Sequence, residues 1–161
     1  MSDDPNEAIG AILGRVPSGL YILTARGPDG FETGMLASWV MQAGFDPPCL
    51  TVAVKVGRYV GAWIEDGLPF NLNVLGEGQQ SLMSHFGRGF DLGQPSFEGL
   101  DVGRCSRNIP TLNEAVGHLE CEPQESLESG DHRIFLCRVM GGKRNSETRP
   151  MVHIRKSGRH Y

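Results

Sequence analysis

The feature that most constrains the fold is the frequency of turn-forming residues between short apolar segments. The 161-residue chain contains 22 glycines, more than the typical share of about 7%. Glycine supplies the backbone conformations that tight turns require. Many turns between short apolar runs are typical of a barrel or sandwich of short strands.

The pattern along the chain predicts about six or seven short strands and a few helices. Apolar residues at helical spacing predict helices over residues 6–13, 58–66 and 79–86. Extended apolar runs predict strands over residues 19–25, 31–39, 49–56, 70–75, 133–140 and 151–155, with 112–121 beginning helix-like and becoming a strand. Residues 27–30 form a hairpin turn, and residues 141–150 are expected to be polar and mobile. The predicted fold class is therefore mainly β: a β-barrel with helical excursions.

One domain over residues 1–161 is expected, because no linker, repeat or low-complexity tract divides the chain. Residues 1–12 would form a helical lead-in and residues 87–110 a surface excursion. The net charge of −4, with no basic block, argues against nucleic-acid binding. No apolar run approaches the ~20 residues of a membrane span. The acidic start Met1-Ser2-Asp3-Asp4 argues against a secretory signal, and a cytoplasmic location is expected.

Cysteine and histidine give little support to a metal site. Cys49, Cys105, Cys121 and Cys137 include no C-x-x-C pair, and the five histidines are scattered. We therefore expect reduced thiols and no bound metal. Phosphate-binding glycine loops and a G-x-S-x-G nucleophile motif are also absent from the sequence, which disfavours nucleoside triphosphate hydrolysis, a Rossmann domain and serine hydrolase chemistry.

Three segments together suggest a nucleotide site. Residues 34–39 (G-M-L-A-S-W) combine small residues, which let a ligand approach the backbone, with the Ser38 hydroxyl. Residues 54–58 carry Lys55 and Arg58 where a strand opens towards a helix, a setting that suits a phosphate. Residues 130–132 (G-D-H) form a turn, and flat aromatic surface comes from Trp39 and Phe86. Each feature also has a simpler interpretation, as a turn hydroxyl, solvated charges or a turn histidine.

These segments resemble the flavin reductase-like family. The similarity consists of residues 34–39, 45–54, 70–75, 119–122 and 130–132, in this order. Members of that family have an FMN-binding split β-barrel and are usually homodimers. A narrower similarity, in residues 35–40, 82–86 and 153–161 (H-I-R-K-S-G-R-H-Y), is to the C-terminal flavin reductase module of photosynthetic flavodiiron proteins. Their di-iron and flavodoxin modules are not in the sequence, so a stand-alone reductase is expected.

The resemblance implies a role for each matching residue. The flavin would contact Met35, Leu36, Ala37, Ser38 and Trp39, with Ser38 donating a hydrogen bond, and its phosphate would be held by the turn that includes Val54, Lys55, Val56 and Arg58. Asn73 and Phe86 would lie near the isoalloxazine, across the dimer or within one chain, and His132 would face the ring where nicotinamide docks. The family pattern Ala-Lys-Asp-Arg is replaced by Lys55-Val56-Gly57-Arg58, so only Arg58 matches directly. Arg133, where an aromatic residue is common, is interpreted as a solvated strand residue, with a preference for a phosphorylated nicotinamide cofactor as the alternative.

The implied activity is hydride transfer from NADH or NADPH to flavin N5. FMN is the expected cofactor, with FAD as the alternative, and the electrons would pass to a separate oxygenase or metalloprotein. Another function on the same fold is a non-catalytic flavin or haem carrier, or an electron-transfer module in a larger redox complex.

Overall fold

Residues 4–161, the part of the chain that the computed structural model describes, form eleven strands and three helices. Residues 1–3 of the predicted lead-in lie outside this range. The helices are α1 (Pro5–Leu13), α2 (Tyr59–Glu65) and α3 (Gln80–Gly87). The strands are β1 (Ser18–Gly19), β2 (Tyr21–Arg26), β3 (Glu32–Ala37), β4 (Val40–Phe45), β5 (Pro48–Lys55), β6 (Phe70–Val74), β7 (Val102–Arg104), β8 (Pro110–Leu112), β9 (Gly117–Ser129), β10 (His132–Arg144) and β11 (Val152–His153).

Seven strands make one antiparallel sheet whose two edges lie close together. The strand order is β3-β2-β6-β9-β10-β5-β4, and two further pairs, β1-β11 and β7-β8, stand beside it. The edge strands β3 and β4 are consecutive in the chain and are joined only by Ser38 and Trp39. Because each residue spans at most about 3.3–3.6 Å, this connection holds the edges within a short step of each other. The sheet therefore curls towards a barrel that stays split between β3 and β4.

The core consists of two apolar clusters. One fills the inside of the curled sheet and includes Val52, Val54, Phe70 and Phe135, with α2 packed against it. The other lies under α3 and the 87–110 segment. Side chains alternate between the two faces of β5. Val52 and Val54 are buried on one face, while Thr51, Ala53 and Lys55 point to the other.

The three predicted helices are confirmed to within one or two residues, but several strand predictions need correction. β4 was missed because its residues, V-M-Q-A-G-F, are mostly exposed and the strand is bulged at a sheet edge. Residues 113–116 form a turn rather than the start of a helix. β9 and β10, each 13 residues long, pair as a hairpin that extends to Arg144, so residues 141–144 are strand. Their polar composition hides this pairing, because strand propensity depends strongly on context.

The 87–110 segment lies mostly at the surface, but several contacts tie it to the rest of the protein. The Tyr59 hydroxyl donates to the Phe90 carbonyl at 2.9 Å, and His85 Nε2 lies 2.7 Å from the Ser96 carbonyl. Ser96 and Ile109 are buried. The segment therefore covers α3 and completes the second core cluster.

Candidate functional site

An open, mainly apolar cleft of about 1280 Å³ is lined chiefly by β4 and β5, together with residues of β10 and of the 13–19 and 150–158 segments. Its apolar walls include Tyr21, Met41, Ile134 and Met151. Pockets for small molecules commonly measure about 300–1000 Å³, so this cleft exceeds the size that one such ligand requires. Its polar groups come from Ser38, Gln42, Thr51, Ser129, Asp131, His132 and Arg155.

Strand pairing brings His132 to the end of this cleft. His132 begins β10, and its register partner on β5 is Lys55. The Val56 N–H donates to the Asp131 carbonyl at 2.9 Å, which joins the two turns. The predicted Gly-Asp-His turn and the predicted Lys55–Arg58 turn are therefore neighbours at one end of the sheet.

The split between β3 and β4 contributes Ser38 and Trp39 to the same end. The Trp39 carbonyl accepts from the Ala53 N–H at 3.0 Å, which fixes the connection against β5. The Trp39 ring lies 4.6 Å from the His132 ring, between centroids, and the guanidinium carbon of Arg155 lies 5.2 Å from the Trp39 centroid. Trp39 is partly exposed, so its ring presents a flat apolar surface.

The His132 imidazole is held at both nitrogens. Nδ1 lies 2.8 Å from an Asp131 carboxylate oxygen, and Nε2 lies 2.7 Å from the Tyr161 hydroxyl. The His132 side chain is only 8% exposed. In the neutral ring, Nδ1–H donates to the carboxylate and Nε2 accepts from the phenol.

Charged groups around His132 shift the pKa values of its partners. The hydrogen bond from His132 lowers the pKa of Asp131, and the charges of His132 and Lys55 lower it further. Although most of the Tyr161 side chain is exposed, partial burial raises the pKa of its hydroxyl, with Arg155 and Arg58 acting in the opposite direction. Within residues 4–161, no ion pair forms with Lys55, Arg58 or Arg155. These cations remain available to an anionic ligand.

Met35 and Arg58 meet at a second, much smaller pocket. It measures about 20 Å³ and also includes Tyr59 and Gly89, which is enough for about one water molecule. Lys55, Val56 and Arg58 are exposed, and Gly57 between them has a φ of +90°, a conformation that favours glycine. This turn therefore presents its cations at the surface, and the small pocket does not accommodate a ring system.

Several predicted site residues lie in the core instead of the cleft. Asn73 is fully buried, donates to the Ile22 carbonyl at 2.9 Å and to Thr24 Oγ1 at 3.1 Å, and accepts from the Leu112 N–H at 2.9 Å. These bonds use its amide within the protein. The geometry argues against its predicted contact with a flavin ring, because none of its polar atoms faces the cleft.

Phe86, Val54 and Ala37 are also core residues. The Phe86 ring packs against Gly34, and Leu36 is half-buried near the end of α3. Phe86 was assigned to the ligand because it is aromatic, but its helix directs it into the second core cluster. Of the predicted residues, Ser38, Trp39 and His132 line the cleft, with Lys55 and Arg58 beside it.

Two residues at this site had no predicted role. Arg155 and Tyr161 belong to the 152–161 segment. This segment contributed to the family resemblance, but its sequence did not indicate that either residue contacts His132 or Trp39. Their approach depends on the β1–β11 pairing, Ser18 with His153 and Gly19 with Val152. A two-residue strand pair of this kind leaves no periodic signal in the sequence.

Other features of the described residues narrow the chemistry. Among residues 4–161, no three His, Cys, Asp or Glu side chains gather as a metal site would require. Cys121 and Cys137 are free and buried, while Cys49 and Cys105 are free and half-buried. No helix in this part of the chain is long and apolar enough to cross a membrane.

Comparison with known protein families gives a match over nearly the whole chain. A family described as "Flavin reductase like domain" matches residues 13–161. A curated relative, diflavin flavoprotein A 1 of Synechocystis sp., is 40% identical over 151 residues, which cover 92% of this chain and 26% of the relative. The chain thus spans about a quarter of the length of the curated relatives that it matches.

Solved structures share the same arrangement of strands. The NADH:FAD oxidoreductase SgcE6 of Streptomyces globisporus is 26% identical, with a TM-score of 0.77 over 89% of this chain and 80% of that one. Its complex with NAD and FAD fragments gives a TM-score of 0.79, over 89% and 84% of the two chains. The styrene monooxygenase flavin reductase of Pseudomonas putida S12, at 24% identity and a TM-score of 0.76 over 89% and 90%, shares the fold.

Proposed function

Since this chain belongs to the family of flavin reductase-like domains, we propose that it binds a flavin in the cleft and catalyses flavin reduction by a reduced nicotinamide nucleotide. The observation that carries the proposal is the pairing of Trp39 with His132, 4.6 Å apart, beside three cations that form no ion pair with any residue of the described range 4–161. Flat rings suit a tricyclic ligand, and the cations suit its phosphate.

The residues of the cleft fit a flavin in size and chemistry. The volume of about 1280 Å³ exceeds the usual range for one small ligand, and a second nucleotide ring would use part of the remainder. The walls are mainly apolar, with Ser38 and Thr51 as neutral polar groups. FMN is the proposed resident form, and FAD is the alternative.

The protein would contribute position and electrostatics to the reaction. A bound flavin would supply the redox chemistry, namely uptake of a hydride equivalent from the reduced nicotinamide and transfer of the two electrons to an acceptor. Trp39 and the His132 ring would keep the two flat partners stacked and exclude water. Because both His132 nitrogens already have partners, His132 would orient a ring and would not act as an essential acid.

The Lys55–Arg58 turn would hold the phosphate. Arg58 is exposed beside the cleft. Its positive charge acts to lower the pKa of Tyr161, the residue that is hydrogen-bonded to His132. A guanidinium can form two parallel hydrogen bonds to a phosphate. NADH and NADPH both remain candidate co-substrates, because no described cation distinguishes a 2′-phosphate from a flavin phosphate.

A homodimer would explain the exposed apolar surface along the cleft. Met41 and Val152 line it and are 68% and 72% exposed. Contiguous apolar surface of this kind on a soluble domain commonly marks an interface. A second copy would cover this surface and narrow the cleft around the ligand.

The electron acceptor is proposed to be a separate oxygenase or metalloprotein. The relatives named diflavin flavoproteins contain the matched region as only about a quarter of their length, so their remaining parts are natural candidates for accepting electrons. Such a partner would dock where the reduced flavin is reachable, at the mouth of the cleft.

Anaerobic mixing of the flavin-loaded protein with NADH or NADPH tests the proposal. We expect the yellow absorbance of the oxidised flavin to bleach, and we expect His132→Ala to slow this reduction while leaving FMN affinity nearly unchanged. A flavin that stays oxidised with both nucleotides would identify a carrier instead. A His132→Ala variant with the wild-type rate would remove His132 from the mechanism.

A further inference from the structure

His132 is fixed from two sides by groups outside the Lys55–Arg58 turn. Asp131 lies 2.8 Å from Nδ1 and Tyr161 lies 2.7 Å from Nε2. Among the described residues, Asp131 and His132 line the cleft and Tyr161 does not. Both hydrogen bonds meet the imidazole at its ring nitrogens and leave its faces to other contacts, of which the Trp39 ring at 4.6 Å is one.

The segment that carries Tyr161 is anchored to the body of the protein. The Arg155 N–H donates to the Gly14 carbonyl at 2.8 Å, and the Gly158 N–H donates to the Gly10 carbonyl at 2.6 Å. A Cβ on Gly158 would clash with Leu13 Cβ, and one on Gly14 would lie 2.5 Å from the Arg155 carbonyl oxygen. Glycine is required on both sides of this contact, so the segment docks against α1 in one place.

The Tyr161 ring itself has little packing to hold it. It is 73% exposed, its centroid lies 5.9 Å from that of Trp39, and its hydroxyl bonds to His132. The Tyr161 side chain is held by its anchored backbone and by its hydroxyl. We therefore expect the hydrogen bond to His132 to be the contact through which this side chain affects the site.

We propose that Tyr161 is a positioning residue for His132: with Asp131 it holds both imidazole nitrogens, so that the ring offers its face to the flavin or nicotinamide. This assignment rests on the proposed function for its effect on rate, although the contact itself does not. Without the hydroxyl, water replaces the phenol at Nε2 and the imidazole swings about its side-chain bonds. The stacked geometry then becomes less frequent.

A double-mutant cycle tests whether Tyr161 acts through His132. We expect Tyr161→Phe to lower the anaerobic single-turnover rate of flavin reduction by about 3- to 10-fold, the range for loss of one neutral hydrogen bond, with FMN affinity unchanged. In a His132→Phe background, which keeps a flat ring without nitrogens, Tyr161→Phe should have no further effect. His160→Ala, in the same segment, is the matched control and should keep the wild-type rate.

Each other kinetic outcome overturns the proposal. A Tyr161→Phe rate equal to wild type means that the hydroxyl does not position the imidazole. A loss that persists undiminished in the His132→Phe background means that Tyr161 acts on the ligand directly. A loss of FMN affinity with an unchanged rate assigns Tyr161 to flavin binding.

A second readout does not depend on nicotinamide or on turnover. The protein has five histidines, and the His132 signal is the one that His132→Phe removes from the ¹³Cε1–¹H spectrum. In the ligand-free protein we expect its order parameter to fall in Tyr161→Phe and to stay unchanged in His160→Ala. If the wild type binds flavin without reducing it, the proposed function fails, and this measurement still decides the role of Tyr161. An unchanged order parameter in Tyr161→Phe refutes that role.

Discussion

Gly34 distinguishes two explanations of the G-M-L-A-S-W segment, packing against a side chain and close approach of a ligand. A Cβ on Gly34 would lie 2.5 Å from Cε1 and 2.9 Å from Cδ1 of Phe86, and 3.3 Å from Cγ2 of Ile22. Phe86 is 1% exposed and Ile22 is fully buried, so neither side chain has free space into which it can move. Gly34→Ala should therefore strain the second core cluster.

The expected loss follows from two opposing contributions to the free energy of unfolding. Overpacking a well-filled core costs about 1–3 kcal/mol. Alanine recovers about 0.5–1 kcal/mol relative to glycine in a strand, because the unfolded chain loses less freedom. The net destabilisation of Gly34→Ala should be about 1–2 kcal/mol. In a Phe86→Leu background, where the smaller side chain leaves room, the added cost of Gly34→Ala should shrink or reverse.

Urea unfolding of the flavin-free protein at fixed concentration measures this loss. Gly61→Ala in α2 is the matched control, since its nearest atom, Val54 Cγ1, lies at 3.4 Å and alanine favours a helix. It should keep or raise the stability. A Gly34→Ala protein as stable as wild type but with weakened FMN binding would refute the packing explanation and restore the ligand explanation.

Three further predictions address the phosphate, the dimer and pH. Arg58→Ala should weaken FMN binding about 10-fold, as for loss of one charge-assisted bond, and riboflavin binding much less in the same titration; equal weakening would remove Arg58 from the phosphate site. Met41→Asp should convert a dimer into a monomer in sedimentation velocity, whereas Leu127→Asp, equally exposed but outside the cleft, should not; a dimer that persists in Met41→Asp contradicts the proposed interface. Burial lowers the pKa of His118 below its ordinary 6.5, so the folded state resists its protonation and stability should fall as pH drops below about 6.5. His118→Gln should flatten that fall in urea midpoints between pH 7 and 5, and an identical slope in the variant would exclude His118 as its source.

The parts of the site that depend on local sequence patterns could be predicted from the sequence. The Gly-Asp-His turn at His132 is visible in the letters. Ser38 and Trp39 were expected within a strand over residues 31–39, whereas β3 ends at Ala37 and these two residues form the connection to β4. What the sequence does not show is that Lys55 pairs with His132 in the sheet. Long-range register depends on the packing of both strands, so no local signal reports it.

The residues that were misassigned or missed depend on distant partners. The side-chain amide of Asn73 is hydrogen-bonded to Ile22, Thr24 and Leu112. Leu112 lies 39 positions away in the sequence. Tyr161 reaches His132 only because the 152–161 segment docks on α1. In both cases the residue type alone did not indicate the role. The role depends on which distant chain segment packs beside the residue.

Equilibrium dialysis of the purified protein against FMN tests the central claim most directly. The account predicts saturable, stoichiometric uptake that quenches Trp39 fluorescence and is weakened in Trp39→Ala. A protein that retains no flavin at large excess, while remaining folded by circular dichroism, would contradict it.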